Sequence, residues 1–387
     1  MQSQACLSSA ERAGLRTKGN VPTLRFPEFS GEWHRTTIGE CCSPLEYGMN
    51  APAKEYDGKN KYIRITDIDE ETCTYKYDDV VSPNALLEEK YKVLDNDILF
   101  ARTGASTGKA YLYDKKDGLI YYAGFLIRGN VKPDFNSKFV FLQTQTQKYK
   151  KWVDIMSIRS GQPGINSQEY SSFKFHLPPS KVEQDKISTL FTLLDVRITT
   201  QIRIIDKLQS LMKGLAEHFM ANTPNTRIGN CLDCHSSVLQ ENQIKKEGDY
   251  KVYGANGICG YSDSPAILED SILIVKDGSG VGNVSYASGE YSVIGTSNYL
   301  TVKSGYSLKY LYYSLMIFNF TPYRTGMAIP HIYFKDYGKA LIYCPSLDEQ
   351  VQIATILSQI ECKIETEKAI TDYYQQQKSF LLQSMFI

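Results

Sequence analysis

The chain has 387 residues, and its 43 basic and 43 acidic residues give it a formal net charge of zero at pH 7. This length allows two domains, each large enough to bury a hydrophobic core. The even charge balance argues against a protein that coats nucleic acid without regard to sequence, since such a protein needs clustered Lys and Arg. Any binding of nucleic acid must therefore depend on local patches or on a more basic partner.

Residues 1–20 are polar and low in aromatic residues, which predicts a disordered segment ahead of the first domain. The segment lacks the apolar core of a signal peptide. No run of eighteen apolar residues occurs in the chain, so the sequence predicts no helix that spans a membrane. Nine cysteines, an odd number in a chain without a secretory signal, favour reduced thiols and a cytoplasmic protein.

A first globular domain is predicted over residues 21–178. It opens with LRFPEFSGEW at residues 24–33 and continues with short strand-like runs such as KYIRITDI at residues 61–68. The run DILFARTG at residues 97–104 is typical of a buried strand that ends in a basic residue and a Gly-rich turn. A second Gly-containing run, RSGQPGI, follows at residues 159–165.

A long helix is predicted over residues 179–222. It opens with PSKVEQ at residues 179–184, where proline and serine followed by an acid and an amide form a helix start signal. Its apolar residues then recur in steps of four and three, which is the spacing of a coiled-coil seam. The predicted seam positions are Ile187, Phe191, Leu194, Ile198, Gln201, Ile205 and Leu208, continued by Met212, Leu215 and Phe219.

The second half of the chain repeats this order. A second globular domain is predicted over residues 223–344 and a second long helix over residues 345–387, which opens with PSLDEQ at residues 345–350. We predict that the two helices pair as an antiparallel coiled coil whose polar seam residues set the register. The alternative is two separate amphipathic helices, each packed on its own domain. The second seam, which is weaker in its middle, is predicted at Ile353, Leu357, Ile360, Ile364 and Glu367, with Glu367 opposite Gln201 in the repeat.

The clearest internal match joins Gly-rich loops of the two domains. DILFARTG at residues 97–104 matches SILIVKDG at residues 271–278, and RSGQPGI at residues 159–165 matches RTGMAIPHI at residues 324–332. The first loop lacks the spacing of a phosphate-binding loop, so no nucleotide site is predicted. Its basic, hydroxyl and amide side chains are the types that contact DNA phosphates and base edges. The predicted DNA-contacting residues are Arg102, Thr103, Ser106, Lys109, Arg159 and Gln162 in the first domain and Lys276, Ser279, Asn283 and Arg324 in the second.

Two other interpretations of these loops stay open. The Gly-rich turns could be plain hairpin connections that carry no function. Any one of the arginines could instead form a salt bridge inside its own domain. His331, which lies in the matched loop of the second domain, could have a structural role or contact a base.

The sequence gives no pattern for catalysis or metal binding. Cys231-Leu-Asp-Cys234-His235 matches a haem-attachment pattern, but we interpret it as a coincidence because no export signal is present. A second CxxC or a spaced His pair, which a zinc site would need, is missing. No methyl-transfer motif and no carboxylate cluster typical of nucleases stands out. We therefore predict a chain without a metal and without a catalytic centre of its own.

The order of domain, heptad helix, domain and heptad helix resembles the specificity (S) subunit of type I restriction–modification enzymes. The runs at residues 24–33, 97–108 and 159–165 and the two helix openings carry the resemblance, which extends from Val21 to Ile387. The family implies a mixed α/β fold with two target recognition domains, each of which reads half of a bipartite, asymmetric DNA sequence. It further implies that the two long helices form an antiparallel coiled coil, whose length sets the distance between the half-sites.

The resemblance also implies the partners and cofactors. Two methyltransferase subunits, which bind S-adenosylmethionine and methylate adenine, would dock on the chain, and a separate ATP- and Mg-dependent subunit would translocate and cut DNA. Double-stranded DNA would be the ligand, and no cofactor would bind to this chain. From the residues alone, two alternatives remain: a coiled-coil scaffold whose domains bind proteins, and an enzyme with an active site shared between the two halves.

Overall fold

A computed structural model describes residues 19–326 and 329–387. The predicted disordered segment 1–20 lies outside this range except for its last two residues. The chain combines strand-rich regions with two helices of 39 residues each. The prediction of a mixed α/β chain with two strand-rich domains and two long helices is therefore confirmed.

The described residues form nineteen strands and nine α-helices, numbered here in chain order. The strands are β1 (His34–Thr37), β2 (Glu46–Tyr47), β3 (Ala53–Glu55), β4 (Lys61–Ile63), β5 (Val81–Pro83), β6 (Asp97–Ala101), β7 (Ala110–Leu112), β8 (Ile120–Tyr122), β9 (Leu126–Asn130), β10 (Lys174–Leu177), β11 (Thr226–Arg227), β12 (Leu232–Ser236), β13 (Tyr250–Gly254), β14 (Gly257–Ser262), β15 (Ser271–Val275), β16 (Val284–Ala287), β17 (Tyr291–Val293), β18 (Ser297–Val302) and β19 (Leu341–Ile342). The helices are α1 (Ile38–Cys41), α2 (Ser137–Gln143), α3 (Gln147–Met156), α4 (Ser167–Ser171), α5 (Lys181–Phe219), α6 (Ile228–Cys231), α7 (Leu308–Ile317), α8 (Phe334–Tyr337) and α9 (Leu347–Met385).

Two compact units share the chain. Unit 1 consists of the described part of Met1–Thr200 together with Thr371–Ile387, and unit 2 consists of Gln201–Ile370. The border between the units crosses both long helices, so each unit contains one half of α5 and one half of α9. The domain borders proposed from the sequence, which lie at the helix ends, stay a prediction.

Unit 1 is built around an antiparallel sheet with the strand order β2-β9-β6-β7. All five residues of β6 are buried, as expected for a strand that has neighbours on both sides. Two-stranded pairs β1-β10, β3-β5 and β4-β8 complete its sheets. The main core packs the sheet against α2 and the long helices through Trp33, Ile98, Phe100, Phe139, Phe175 and Phe191.

Unit 2 contains a corresponding antiparallel sheet with the strand order β12-β18-β15-β16. Its strand β15 is again buried over all five residues. A three-stranded sheet, β14-β13-β17, and the pair β11-β19 accompany it. The main core contains Ile272, Ile274, Leu300, Tyr310, Tyr313 and Leu357.

Within each unit, the two long helices pack together through opposite ends: the start of one helix lies against the end of the other. In unit 1 the start of α5 shares a core with the end of α9, for example Phe191 with Met385. In unit 2 the end of α5 shares a core with the start of α9, for example Ala216 with Leu357. This pairing is antiparallel and favours the coiled-coil interpretation over two separate amphipathic helices.

None of the fifteen predicted seam side chains is exposed, and seven of them, including Ile187, Leu357 and Glu367, are buried. In unit 2 the amide of Gln201 donates a hydrogen bond to the carboxylate of Glu367, which also pairs with Lys363. A polar contact at one seam position disfavours other registers, because a shifted register would leave both polar groups without partners.

A buried glutamine fastens the first turn of each long helix to its own unit. Gln184 accepts a hydrogen bond from the backbone N–H of Asn136 at 3.0 Å, and Gln350 accepts one from Ser307 N–H, also at 3.0 Å. Asn136 and Ser307 are the N-cap residues of α2 and α7. The matching contacts explain the glutamine at both helix openings, since its amide connects two helix starts in each unit.

An ion pair also recurs between the same helices. Lys138 contacts Asp195 at 2.6 Å in unit 1, and Lys309 contacts Glu361 at 3.2 Å in unit 2. Burial opposes ionisation of Asp195, but Lys138 and Lys378 hold the pKa of its carboxyl below the usual range. Asp195 therefore stays ionised at neutral pH and keeps α2 bound to α5.

In the part of the chain that the structure describes, no helix is long and apolar enough to cross a membrane.

Candidate nucleic-acid interface

Two predicted loops meet beside the end of the central strand of unit 1. We call residues 102–109 and 159–165 the first loop pair. The carbonyl of Arg102 accepts a hydrogen bond from Ile165 N–H at 2.9 Å, and Gly104 N–H donates one to the carbonyl of Pro163, also at 2.9 Å. Segments that are more than fifty residues apart in the sequence are thus joined by backbone hydrogen bonds.

The shape of the first loop depends on glycine. Gly104 and Gly108 have φ angles of 69° and 91°, a region that side-chain-bearing residues rarely adopt. A Cβ atom at Gly108 would lie 2.6 Å from the side chain of Val153. The loop closes with Gly108 N–H donating to the carbonyl of Ala101 at 3.0 Å. These constraints fix the direction in which the side chains of the loop leave the backbone.

Arg102 is held by an aromatic ring. Its guanidinium carbon lies 4.7 Å from the centre of the Tyr47 ring, and its Nε has no hydrogen-bond partner among the described residues. The hydroxyl of Tyr47 accepts a hydrogen bond from Ser167 N–H at 3.2 Å, which fixes the ring in turn. The Nε is buried, so the two terminal nitrogens are the groups of the ordered Arg102 side chain that can bind an anion or a base edge.

The other predicted cations of the first loop pair have acidic partners. Arg159 donates to both carboxylate oxygens of Glu169, at 2.7 and 2.6 Å, and also to two backbone carbonyls. Lys109 contacts Glu70 at 3.1 Å. Arg159 therefore adopts the salt-bridged role that the sequence left open, whereas Lys109 pairs with an exposed carboxylate that can be displaced. The neutral members, Thr103, Ser106 and Gln162, lie on the same loops.

Sequence reasoning missed two aromatic residues of this site. Phe125 is 59% exposed, and its carbonyl accepts a hydrogen bond from Arg102 N–H at 3.0 Å. Tyr47, in β2, contacts the guanidinium of the same residue. Neither belongs to the matched motifs, so only the pairing of strands β2, β6 and β9 brings them to the loop. Exposed aromatic rings beside a cation are the signal that could have identified them, since such groups stack on bases.

Unit 2 repeats the backbone arrangement. We call residues 276–283 and 324–332 the second loop pair; positions 327 and 328 lie outside the described residues. Ile332 N–H donates to the carbonyl of Lys276 at 3.0 Å, and Gly278 N–H donates to the carbonyl of Pro330 at 3.0 Å. Gly282 has a φ of 90° and donates to Val275 at 2.9 Å, as Gly108 does to Ala101. The two loop pairs therefore share one backbone framework.

The side chains of the second loop pair differ from those of the first. Ser279 and Asn283 are exposed, and Lys276 is partly buried without a salt bridge to any described residue. Arg324 donates a hydrogen bond to the carbonyl of Val281 at 2.8 Å and so joins the two loops. The two loop pairs thus present different chemical groups on the same backbone framework.

The cysteines that the structure describes offer no sign of a metal site. Cys231 lies with its sulfur 3.9 Å from that of Cys344, inside unit 2, rather than beside Cys234. Burial raises the pKa of Cys234 to about 11, which disfavours the thiolate form that metals bind. Within residues 19–326 and 329–387, no group of three or more His, Cys, Asp or Glu side chains is placed to hold a metal ion.

The sequence matches a known family over most of its length. The model of the family described as the type I restriction modification DNA specificity domain matches residues 32–210 and 233–373. The chain belongs to this family. The matched ranges include both loop pairs, and the predicted resemblance to type I specificity subunits is confirmed.

A curated relative is the type I restriction enzyme EcoprrI specificity subunit of Escherichia coli, which is 23% identical over 135 residues. That match covers 35% of this chain and 33% of the relative. The chain thus matches about a third of the length of this relative.

Two solved structures of type I systems resemble the whole fold. The S subunit of a type I restriction–modification system from M. genitalium has a TM-score of 0.66 at 16% identity, and the match covers 95% of this chain and 99% of the other. A second structure, described in terms of complex assembly and conformational transition of the type I R-M system, has a TM-score of 0.52 at 16% identity, with 92% and 97% covered. At these identities the likeness shows a common fold.

Proposed function

We propose that this chain is the non-catalytic DNA sequence-specificity subunit of a type I restriction–modification complex and that each loop pair reads one half of a bipartite, asymmetric DNA target. The observation that carries this proposal is the repeated backbone framework with different side chains. Two loop pairs with the same backbone framework and different side chains suit a ligand whose two halves differ. Membership of the DNA specificity family supports DNA as that ligand.

The two loop pairs offer different chemistry to DNA. In the first, Arg102 carries a guanidinium that suits the O6 and N7 acceptors of guanine or a phosphate, and Gln162 carries an amide that suits adenine. In the second, Lys276 and Asn283 offer an ammonium group and an amide. The neutral net charge of the chain agrees with a subunit that reads sequence while partner subunits supply part of the electrostatic affinity.

The long helices serve, in this proposal, as a spacer between the half-sites and as docking surfaces for two methyltransferase subunits. A helix of 39 residues measures about 58 Å at ~1.5 Å per residue. That length corresponds to about 17 base pairs at ~3.4 Å each, or roughly one and a half turns of DNA. S-adenosylmethionine would bind to the methyltransferases, and ATP and Mg would bind to the translocating nuclease subunit of the cytoplasmic complex.

Genome-wide mapping of adenine methylation tests the proposal. The methyltransferase subunits are supplied to a host with and without this chain. We expect a bipartite methylated motif that is present only with the chain. Absence of chain-dependent methylation, although the chain forms a complex with the methyltransferase, would contradict the proposal and favour a protein-binding scaffold.

A further inference from the structure

The backbone of His331 is fixed from two sides. Its N–H donates to the carbonyl of Thr325 at 2.7 Å, and its carbonyl accepts from Thr325 N–H at 2.9 Å. On the other side, the backbone of His331 forms a β-bridge with Asp277. Two hydrogen bonds flank this bridge, one from Gly278 N–H to the carbonyl of Pro330 and one from Ile332 N–H to the carbonyl of Lys276. The residue is therefore held in place before any ligand binds, which reduces the entropic cost of binding.

The side chain of His331 is oriented by Asp277. Its Nδ1 lies 2.6 Å from Asp277 Oδ1, and each side chain is about one-third exposed. A carboxylate only accepts hydrogen bonds, so Nδ1 carries the proton in this contact. In a neutral imidazole, Nε2 is then the acceptor, and it has no hydrogen-bond partner among the described residues. With a neutral His331, the second loop pair thus presents a hydrogen-bond acceptor that has a defined tautomer and no partner among the described residues.

The first loop pair has nothing comparable at this position. By the matching backbone hydrogen bonds, Thr103 and Gly164 correspond to Asp277 and His331. Gly164 has no side chain, and Thr103 has no imidazole to orient. The His–Asp pair is therefore a feature that distinguishes unit 2 from unit 1 on an otherwise common framework. Unit 1 forms the same backbone contacts between its loops without such a pair, so these contacts do not require it.

We propose that His331 is a specificity-determining residue of the second half-site and that Asp277 positions it. Its Nε2 accepts a hydrogen bond from an amino group in the major groove, which only adenine N6 and cytosine N4 provide. Asp277 acts through His331 by fixing the tautomer, and it does not itself touch DNA. This inference rests on the proposed function, since it identifies what unit 2 recognises.

Two substitutions at His331 separate the roles of its nitrogens. In His331→Asn, the amide N–H can still donate to Asp277, but no atom remains at the position of Nε2. In His331→Gln, the longer side chain carries a polar atom near that position. His235, an exposed histidine of unit 2 that lies in β12 outside the second loop pair, provides the control His235→Asn. All are made in the full chain, assembled with its methyltransferase subunits.

The measurement is the methylation rate on a set of duplexes that carry every base at each position of both half-sites. We expect His331→Asn to lower methylation of the preferred site roughly tenfold and to remove the preference at one position of the second half-site. Asp277→Ala should weaken the same preference, His331→Gln should restore part of it, and His235→Asn should change nothing. Preferences in the first half-site should stay as they are.

Two results would overturn the assignment. The first is an unchanged base preference in His331→Asn. The second is an equal loss on every duplex together with a shallower salt dependence, which would make His331 a phosphate contact. If the unaltered chain directs no methylation, the proposed function itself fails, and that outcome is visible before any variant is compared.

Discussion

The two loop pairs show how one backbone framework can carry two different sets of side chains. Both use a buried central strand, a glycine in the positive-φ region and the same cross-loop hydrogen bonds. The first adds a guanidinium stacked on Tyr47, whereas the second adds the His331–Asp277 pair. Backbone contacts therefore preserve the position of the loops, while the side chains that leave them are free to differ between the two loop pairs.

The first turns of the two long helices also make different contacts, although their sequences match. Glu183 at the start of α5 is 1% exposed and pairs with Arg25 at 2.7 Å and with Trp33 Nε1 at 3.3 Å. The corresponding Glu349 of α9 is exposed, and its carboxylate accepts a hydrogen bond from the hydroxyl of Ser346 at 2.8 Å. Arg25 and Trp33 belong to the opening segment LRFPEFSGEW, so this segment contacts the start of α5.

The largest expected effect comes from this attachment. Glu183→Ala should lower the free energy of unfolding by about 3 kcal/mol, because it leaves the side chain of Arg25 largely buried without its partner. Glu349→Ala should cost only about 1 kcal/mol, because it removes the hydrogen bonds that an exposed carboxylate accepts from Ser346 at the helix start. Denaturant unfolding of the full chain measures both. Equal losses would contradict the contrast between the two attachments.

The second prediction separates backbone strain from a steric clash. Gly108→Ala should cost about 3 kcal/mol, since its Cβ combines a positive φ with the contact to Val153. Gly278→Ala, with a φ of 94° and no atom within 4 Å of its Cβ, should cost about 1–2 kcal/mol. Thermal unfolding compares the two variants. A larger loss for Gly278→Ala would show that the space around Gly108 is not limiting.

The third prediction concerns DNA affinity. Arg102→Ala should weaken binding of the complex by about 1–2 kcal/mol, or roughly tenfold, and only through the first half-site. Lys276→Ala should act in the same way on the second half-site, and neither should affect assembly with partners. Arg159→Ala is the matched control, because the Glu169 carboxylate already occupies that guanidinium. Titration of labelled duplexes measures each affinity, and a loss for Arg159→Ala alone would reverse the assignment.

The smallest effect is expected at Tyr47. Tyr47→Leu removes the ring beneath Arg102 and should weaken DNA binding by about 0.5–1 kcal/mol, the value of a cation–π contact at an exposed site. Tyr47→Phe keeps the ring and loses only the hydrogen bond from Ser167, so it should bind nearly as well as the unaltered chain. The same titration compares them, and identical affinities would remove Tyr47 from the site.

Much of the architecture could be predicted from local pattern. The heptad spacing predicted both long helices, and the repeat placed Gln201 opposite Glu367, where the structure has a hydrogen bond. The glycine positions identified the matching loops, because a turn with positive φ restricts the residue type. The contacts of individual side chains could not be predicted in this way. Glu169, which holds Arg159, and Tyr47, which holds Arg102, reach their partners through tertiary folding, which no repeat or spacing records.

The most direct test of the account is an exchange of residues 223–344 for the corresponding segment of another family member, followed by mapping of the methylated motif. If each loop pair reads its own half-site, one half of the motif changes, while the other half and the spacing between them stay the same. A change in both halves would contradict independent reading by the two loop pairs. An unchanged motif would show that the second domain does not read DNA.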